Sequence, residues 1–220
     1  MKTPILITNF KATETAIGES AEKMAEIHAE ISREKNVEIA VAPQNCDLFR
    51  VAQNCEIPVF AQHCDAISCG SFTGKTPAKI LKINGAAGVI LNHSENRFSN
   101  FDDLKTAAEF AKKENLKIVI CAETADEGAE IMKNISPDFV AVEPPELIGG
   151  EISVSTARPE LISESVAKIG AGKVLVGAGV KNSADVKIAL KLGAVGILVA
   201  SGVTKNENPR AAILDLVSAF

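Results

Sequence analysis

Three side chains that could move a proton together stand at the ends of three separate apolar runs. Lys11 and His93 each lie just beyond such a run, and Glu143 ends another. A carboxylate can remove a proton from a carbon beside a carbonyl group, while an imidazole donates a hydrogen bond to the carbonyl oxygen. A lysine ammonium can stabilise the negative charge that builds on that oxygen. These residue types indicate proton transfer through an enediolate, if the fold brings them together.

Each of these residues also has a plain structural interpretation. A lysine beyond a strand is usually a solvated charge, a histidine there is usually a satisfied loop residue, and a strand-end glutamate often forms a structural pair. By the same standard, His28 on an apolar helical stripe is expected to be packed or at an interface, and His63 to be structural. The functional interpretation gains weight because folding alone does not require Lys11, His93 and Glu143 to occur together.

Two runs near the C-terminus end in small residues, "GAG" and "ASG", and indicate a site for an anion. Small residues let backbone N–H groups approach a phosphate closely, although either loop alone is equally consistent with a tight turn. Together with Lys11, the residues Gly179, Ala200 and Ser201 predict a phosphorylated small carbonyl compound as substrate.

Eight short apolar runs, alternating with longer helical patterns, must position these residues. Runs that are apolar throughout are typical of strands covered on both faces, and hence of a parallel sheet. Eight such units without a linker predict a single (β/α)8 barrel, a TIM barrel, over residues 1–220. The runs are 5–8, 37–42, 58–61, 88–91, 117–121, 139–143, 173–177 and 196–200.

The alternative fold is a doubly wound open sheet that binds a dinucleotide. Gly177 and Gly179 fit its glycine pattern, but Asn182 stands where the third glycine is needed, and no acidic end of an early strand supports it.

Helical periodicity and capping residues predict where the helices lie. Thr76 and Asn208 each precede a proline and are predicted to cap helix starts, as is Thr124. The segment "SENR" directly after His93 is another predicted start, whose dipole would favour a neutral imidazole. The clearest apolar faces are Ile17, Ala21, Met24, His28 and Ile31; Leu104, Ala107, Ala108 and Ala111; and Ile213, Leu216, Val217 and Phe220.

Composition excludes several function classes. A net charge of -5 with scattered basic residues predicts no binding of nucleic acid or of an anionic membrane surface. Apolar stretches far shorter than the ~18 residues of a membrane span, and an N-terminus without a signal-peptide core, predict a cytoplasmic protein. Five cysteines, an odd number without a C-x-x-C pair, predict free thiols and no metal site.

The loop after Glu143 has the composition of a lid. Pro144 and Pro145 stiffen one side, whereas Gly149 and Gly150 allow large backbone changes at the other. A lid that excludes water would protect an enediolate phosphate, which can otherwise lose its phosphate.

At these residues the whole chain resembles the triosephosphate isomerase family, specifically its compact archaeal form. The most specific segments are "NHSENR" at 92–97 and "EPPELIG" at 143–149. Further matches are "NFK" at 9–11, "APQ" at 42–44, "FAQH" at 60–63, "TG" at 73–74, "GAG" at 177–179 and "LVASGV" at 198–203.

The resemblance implies interconversion of dihydroxyacetone phosphate and glyceraldehyde 3-phosphate, in glycolysis and gluconeogenesis, without cofactor or metal. It implies that Glu143 is the base, that His93 is the electrophile supported by Glu95, and that Lys11 is their electrostatic partner. It also implies a homotetramer, with Thr73 approaching a neighbouring subunit's site. The implied substrate-binding residues are Asn9, Phe10, Lys11, Ile148, Gly149, Gly179, Ala200 and Ser201.

Two other functions remain open. A different phosphosugar enzyme, such as an epimerase, could use the same phosphate site, but it would not explain Lys11, His93 and the Glu143 lid together. A catalytically silent barrel could serve as a binding or scaffold module, but such a module has no need of these side chains.

Overall fold

The computed structural model describes residues 4–144 and 154–220, and their strands form one parallel sheet. Every strand is followed by at least one helix, so the alternation expected from the sequence is confirmed. Each strand lies within two residues of the predicted run at either end. The strands are β1 Ile5–Asn9, β2 Glu38–Ala42, β3 Phe60–Ala61, β4 Gly88–Leu91, β5 Lys117–Ala122, β6 Phe139–Val142, β7 Val174–Val176 and β8 Gly196–Val199.

The sheet closes on itself into a barrel. Strand β1 pairs with both β2 and β8, and the order continues through β7, β6, β5 and β4 to β3. A parallel bridge between Val41 and Val59 joins β2 to the segment leading into β3, and the Val41 N–H donates to the Pro58 carbonyl at 3.1 Å. The barrel prediction is therefore confirmed, and the open sheet is excluded.

The strands are apolar throughout because both of their faces are buried. Alternate residues such as Ile5 and Ile7 fill the inside of the barrel, whereas the intervening Leu6 packs in the layer between barrel and helices. This alternation follows from the two-residue period of a strand. The barrel interior contains Ile5, Ile7, Ala40, Ala42, Phe60, Ile90, Val119, Cys121, Phe139, Ala141, Leu175 and Leu198.

The helices form the outer layer, and side chains cap several of them as expected. Thr124 accepts from the Glu127 N–H, and Asn208 accepts from the Ala211 N–H. The helices are α1 Glu19–Lys35, α2 Leu48–Asn54, α3 Ala78–Ile83, α4 Phe101–Lys113, α5 Ala125–Asn134, α6 Val154–Ala157, α7 Pro159–Ile169, α8 Ser183–Lys191, α9 Ser201–Thr204 and α10 Pro209–Val217. No helix in the described ranges is both long and apolar enough to cross a membrane.

Four boundary predictions were wrong. Helix α1 begins after Gly18, whose φ of 58° breaks the helical path, so Ile17 lies outside it and is 40% exposed. Pro77, not Thr76, stands at the N-cap position of helix α3 and makes no capping hydrogen bond with its side chain. The Thr76 N–H instead donates to the Asp65 carboxylate at 2.7 Å. Phe220 lies beyond the end of α10.

The fourth concerns the residues after His93, which form a turn. The next helix is α4, which starts after Asn100, where the Asn100 side chain accepts from the Asp103 N–H.

Candidate active site

The C-terminal ends of the strands surround a cavity that contains the side chains expected to do chemistry. Asn9 and Lys11 come from β1 and its loop, His93 from the loop after β4, and Glu143 from the end of β6. Barrel closure brings them together although they are far apart in the sequence. The remaining lining residues come from the ends of β7 and β8 and their loops: Gly177, Gly179, Val180, Lys181, Leu198, Val199, Ala200, Ser201 and Gly202.

Lys11 is held at both its backbone and its side chain. It has a left-handed φ of 51°, and its N–H donates to Asn9 Oδ1 at 3.0 Å. The Gln62 amide donates to the Lys11 carbonyl at 3.2 Å and to the Ala42 carbonyl at 2.9 Å. Lys11 Nζ donates to Glu95 Oε1 at 2.6 Å. These contacts fix a positive charge beside the cavity, and the part of Gln62 was not foreseen from the sequence.

Phe10 does not line the cavity with its side chain. The ring is fully buried in the layer between barrel and helices, where it packs on His28 with ring centroids 5.8 Å apart. The side chains of neighbouring residues in a strand point to opposite faces, so Asn9 and Phe10 cannot both face the substrate. The Phe10 side chain therefore faces away from this cavity, and the substrate-binding role of Phe10 stays a prediction.

The surroundings of His93 favour a neutral ring that carries its proton on Nε2. The Glu95 N–H donates to Nδ1 at 3.1 Å, so Nδ1 must be the acceptor and Nε2 the donor. Burial lowers the pKa of His93, and the nearby Lys11 charge lowers it further, while Glu95 opposes the shift. These contacts favour the predicted neutral form, but the helix-dipole explanation is wrong because no helix starts at residue 94.

Glu143 is a buried carboxyl group with one oxygen free. Its exposed fraction is 4%, and its Oε2 atom has no hydrogen-bond partner among the described residues. Burial raises the pKa of Glu143 to about 7; the Cys121 thiol and Lys11 lower it, and Glu95 raises it. Oε2 lies 3.9 Å from His93 Nε2. A carboxyl group with a pKa near neutrality is suited to accept and return a proton.

Gly177 provides the space that Glu143 occupies. A Cβ atom at this glycine would lie 2.4 Å from Glu143 Cγ and 2.6 Å from its Oε1. The expectation that Gly177 serves only a phosphate loop or a tight turn therefore missed its contact with the carboxyl side chain.

The comparison with known proteins agrees with this arrangement. The family model described as triosephosphate isomerase matches residues 4–220. The chain belongs to the triosephosphate isomerase family. A triosephosphate isomerase from Methanosarcina acetivorans is 42% identical over 99% of each chain. Another, from Methanothermobacter thermautotrophicus, is 44% identical over 98% of this chain and 95% of its own length.

Within this family assignment, the last two loops hold the expected anion-binding residues beside the cavity. Gly179 has a left-handed φ of 68°, which suits glycine. The Ala200 carbonyl accepts from the N–H groups of Val203 and Thr204, both at 3.0 Å, and so starts α9. The N–H groups of Ala200 and Ser201 stand at the start of α9 and take no part in these two hydrogen bonds.

Two other residues named in the sequence analysis, Thr73 and His63, lie outside this cavity. Ile148 and Gly149 fall outside the described residues. Thr73 is exposed on the loop after β3. His63 stacks on Phe98 with ring centroids 5.1 Å apart and lies 3.9 Å from Asp65, in agreement with a structural role.

Two residues near the site were given no role from the sequence. Cys121, inside the barrel, places its thiol against Glu143. Asn92 precedes His93 and is almost fully buried. The sequence signal for Asn92 is its place at the end of β4, whereas nothing in the sequence distinguishes Cys121 from the other apolar residues of its strand.

Proposed function

We infer that the chain is an isomerase that interconverts dihydroxyacetone phosphate and D-glyceraldehyde 3-phosphate. The observation that carries this inference is the buried Glu143 carboxyl, with its free Oε2 3.9 Å from the Nε2 atom of neutral His93. Membership of the triosephosphate isomerase family over the whole described chain supports the choice of substrate.

In the proposed mechanism Glu143 moves a proton between two neighbouring carbons. Its carboxylate removes a proton from the carbon beside the carbonyl, and the electron pair left behind forms the enediolate. His93 donates its Nε2 hydrogen bond to the oxygen on which charge develops. His93 gives its Nε2 proton to this oxygen and takes one from the hydroxyl group on the neighbouring carbon, so one proton passes from the hydroxyl oxygen to the former carbonyl oxygen. The protonated Glu143 then returns its proton to the former carbonyl carbon, so that the carbonyl has moved by one position and no other reactant is consumed.

Lys11 supplies the positive charge for this site. It has already given up part of its hydration by pairing with Glu95, and its side chain is 23% exposed. We propose that Lys11 stabilises both the enediolate and the substrate phosphate, with Asn9 beside it. A neutral His93 is also the consistent partner for Lys11, because two cations side by side would repel each other.

The substrate phosphate is proposed to bind backbone N–H groups of Gly179, Ala200 and Ser201. These loops line the same cavity as Glu143 and His93, so a short three-carbon substrate could reach both. Ile148 and Gly149 of the lid are proposed to complete the phosphate contacts and exclude water, as the family resemblance implies. Side chains perform every proton transfer, so the proposed mechanism requires no cofactor.

We also propose that the chain acts in glycolysis and gluconeogenesis in the cytoplasm, as a homotetramer. A cavity of about 470 Å³ next to the site is lined by Asn45 and His63, which have buried polar atoms without a partner among the described residues. The exposed loop with Phe72 and Thr73 offers a candidate occupant from a second copy. Light scattering should give four times the chain mass of 23.1 kDa, and a monomer would reject this proposal.

The Glu143→Gln variant tests the proposed reaction. In a coupled assay with glyceraldehyde 3-phosphate, the wild type should turn over and Glu143→Gln should lose at least ~10²-fold in kcat, the usual contribution of a general base. Substrate binding should be largely retained because glutamine keeps the size of the side chain. Glu130→Gln, on the exposed side of α5, is the matched control and should behave as wild type.

Other results would favour the two alternative functions, a different phosphosugar enzyme or a silent barrel. Wild-type turnover of another phosphosugar without isomerisation of glyceraldehyde 3-phosphate would favour an epimerase. Binding of the triose phosphate without any turnover would favour a silent barrel. Inorganic phosphate should compete with substrate at millimolar concentrations, and the absence of competition would count against the proposed phosphate loops.

A further inference from the structure

We propose that Asn92 is a positioning residue for His93, which it fixes at the distance from Glu143 that proton transfer needs. The inference rests on the proposed function. Asn92 is 5% exposed, directly precedes His93, and is not among the residues that line the cavity formed by Lys11, His93, Glu143 and the loops after β7 and β8.

The backbone at Asn92 turns sharply where β4 ends. Its φ is 59°, in the left-handed region that glycine adopts freely and that asparagine tolerates better than most other residues. Alanine at this position would be strained, whereas glycine would not. The residue type therefore suits the turn that leads the chain from the strand into the His93 loop.

The Asn92 side chain then closes this loop. Its Oδ1 accepts from the Phe98 N–H at 3.3 Å, so the side chain joins the first and last residues of the segment 92–98. Within this segment, the Asn96 N–H donates to the His93 carbonyl at 2.8 Å, and the Glu95 N–H donates to His93 Nδ1. The loop that selects the tautomer of His93 is thus held at both ends by one amide.

The other end of the amide is anchored to the neighbouring strand. Asn92 Nδ2 donates to the Cys121 carbonyl at 3.2 Å and to Glu127 Oε1 at 3.3 Å. Glu127 is itself fixed, because Arg97 donates to the same oxygen at 2.5 Å and the Glu123 N–H donates to Oε2 at 2.8 Å. The anchor is consequently part of a connected network.

This network reaches the other reacting group. The Cys121 thiol contacts the Glu143 carboxyl, and the Glu143 N–H donates to the carbonyl of the next residue, Ala122, at 2.9 Å. Asn92 therefore ties the loop of His93 to the end of β5, on which Glu143 is also aligned. Removal of the amide should let the imidazole move relative to the carboxyl while leaving both residues chemically intact.

Two substitutions distinguish the effect of the Asn92 side chain from the effect of its backbone conformation. Asn92→Gly keeps the left-handed turn and removes the three hydrogen bonds, whereas Asn92→Ala also introduces backbone strain. We expect Asn92→Gly to lower kcat about tenfold, a fraction of the ~10²-fold that a 1 Å misplacement can cost, with KM within about twofold of wild type. Asn92→Ala should lose at least as much activity and should also melt at a lower temperature.

Asn115 provides the matched control pair. It too has a left-handed φ, 55°, but it is exposed between α4 and β5, at the opposite end of the strands. Asn115→Gly and Asn115→Ala should reproduce the backbone effects on melting temperature and leave kcat unchanged. A loss of kcat in the Asn115 pair equal to that in the Asn92 pair would overturn the proposal.

Nitrogen NMR of His93 gives a readout that does not depend on turnover. In wild type, Nδ1 should show the shift of an acceptor nitrogen and Nε2 that of a protonated one, whereas Asn92→Gly should show a mixture of tautomers. A wild-type spectrum in Asn92→Gly, together with wild-type kcat, would overturn the role of Asn92. If wild type fails to isomerise triose phosphate, the proposed reaction fails, and the spectra alone decide whether Asn92 positions the ring.

Discussion

A single methyl group at Gly177 should displace the proposed base. The Cβ of an alanine at this position would lie 2.4 Å from Glu143 Cγ, 2.6 Å from Oε1 and 2.7 Å from Cδ. Ordinary contact between carbon atoms begins at about 3.5 Å, so the side chain must move by about 1 Å. The Glu143 side chain has to move, because the new Cβ atom is attached to the backbone at the end of β7.

The magnitude follows from the sensitivity of proton transfer to distance. A 1 Å misplacement can cost ~10²-fold in rate. That factor corresponds to about 2.7 kcal/mol in the activation free energy. The φ of Gly177 lies outside the left-handed region, so alanine can adopt the backbone without strain. We therefore expect a large loss of kcat with a small change in melting temperature.

The assay is steady-state kinetics of Gly177→Ala in parallel with thermal melting. Gly70→Ala is the control, because Gly70 also lies outside the left-handed region and its Cβ would meet only the exposed Phe72 ring, at 3.3 Å. Wild-type kcat in Gly177→Ala would refute the reasoning, since Glu143 could then not occupy this position during turnover. A loss of activity explained wholly by unfolding would refute it as well.

The remaining predictions concern pH. Because Glu143 must be ionised and its pKa is raised to about 7, kcat/KM should fall as the pH drops below about 7, and Cys121→Ala should move this limb to higher pH by removing the thiol that lowers the pKa. A raised pKa favours the protonated folded state, so the contribution of Glu143 to stability should decrease as the pH rises from 4.5 to about 7; the melting temperature of wild type relative to Glu143→Gln should fall over this range, and a constant difference would contradict this. The contribution of His28 has the opposite sign, because burial lowers its pKa from 6.5 to about 4; the melting temperature of wild type relative to His28→Gln should fall as the pH drops through this window.

Much of the fold could be predicted from local patterns. The eight apolar runs marked the strands because both faces of a barrel strand are buried, as Ile5, Leu6 and Ile7 show. Thr124 and Asn208 marked helix starts because capping depends on residues only three positions apart. Ile17 was misplaced because periodicity alone does not reveal the break at Gly18.

The candidate site was predictable in its residue types but not in its contacts. Lys11, His93 and Glu143 could be selected because the ends of parallel strands share one rim of a barrel. The neutral form of His93 was predicted from a helix dipole, but the structure favours it through the Glu95 N–H, burial and the Lys11 charge instead.

The amino-acid sequence by itself determined the barrel, its strand and helix order, and the three side chains at its rim. These properties depend on hydrophobic periodicity and on chemistry carried by single residues. Only the tertiary structure decided that Gly177 makes room for Glu143, that Gln62 holds Lys11, and that the pKa of Glu143 rises to about 7. Such properties depend on distance and burial between residues that the chain separates widely, and closure of the barrel alone creates them.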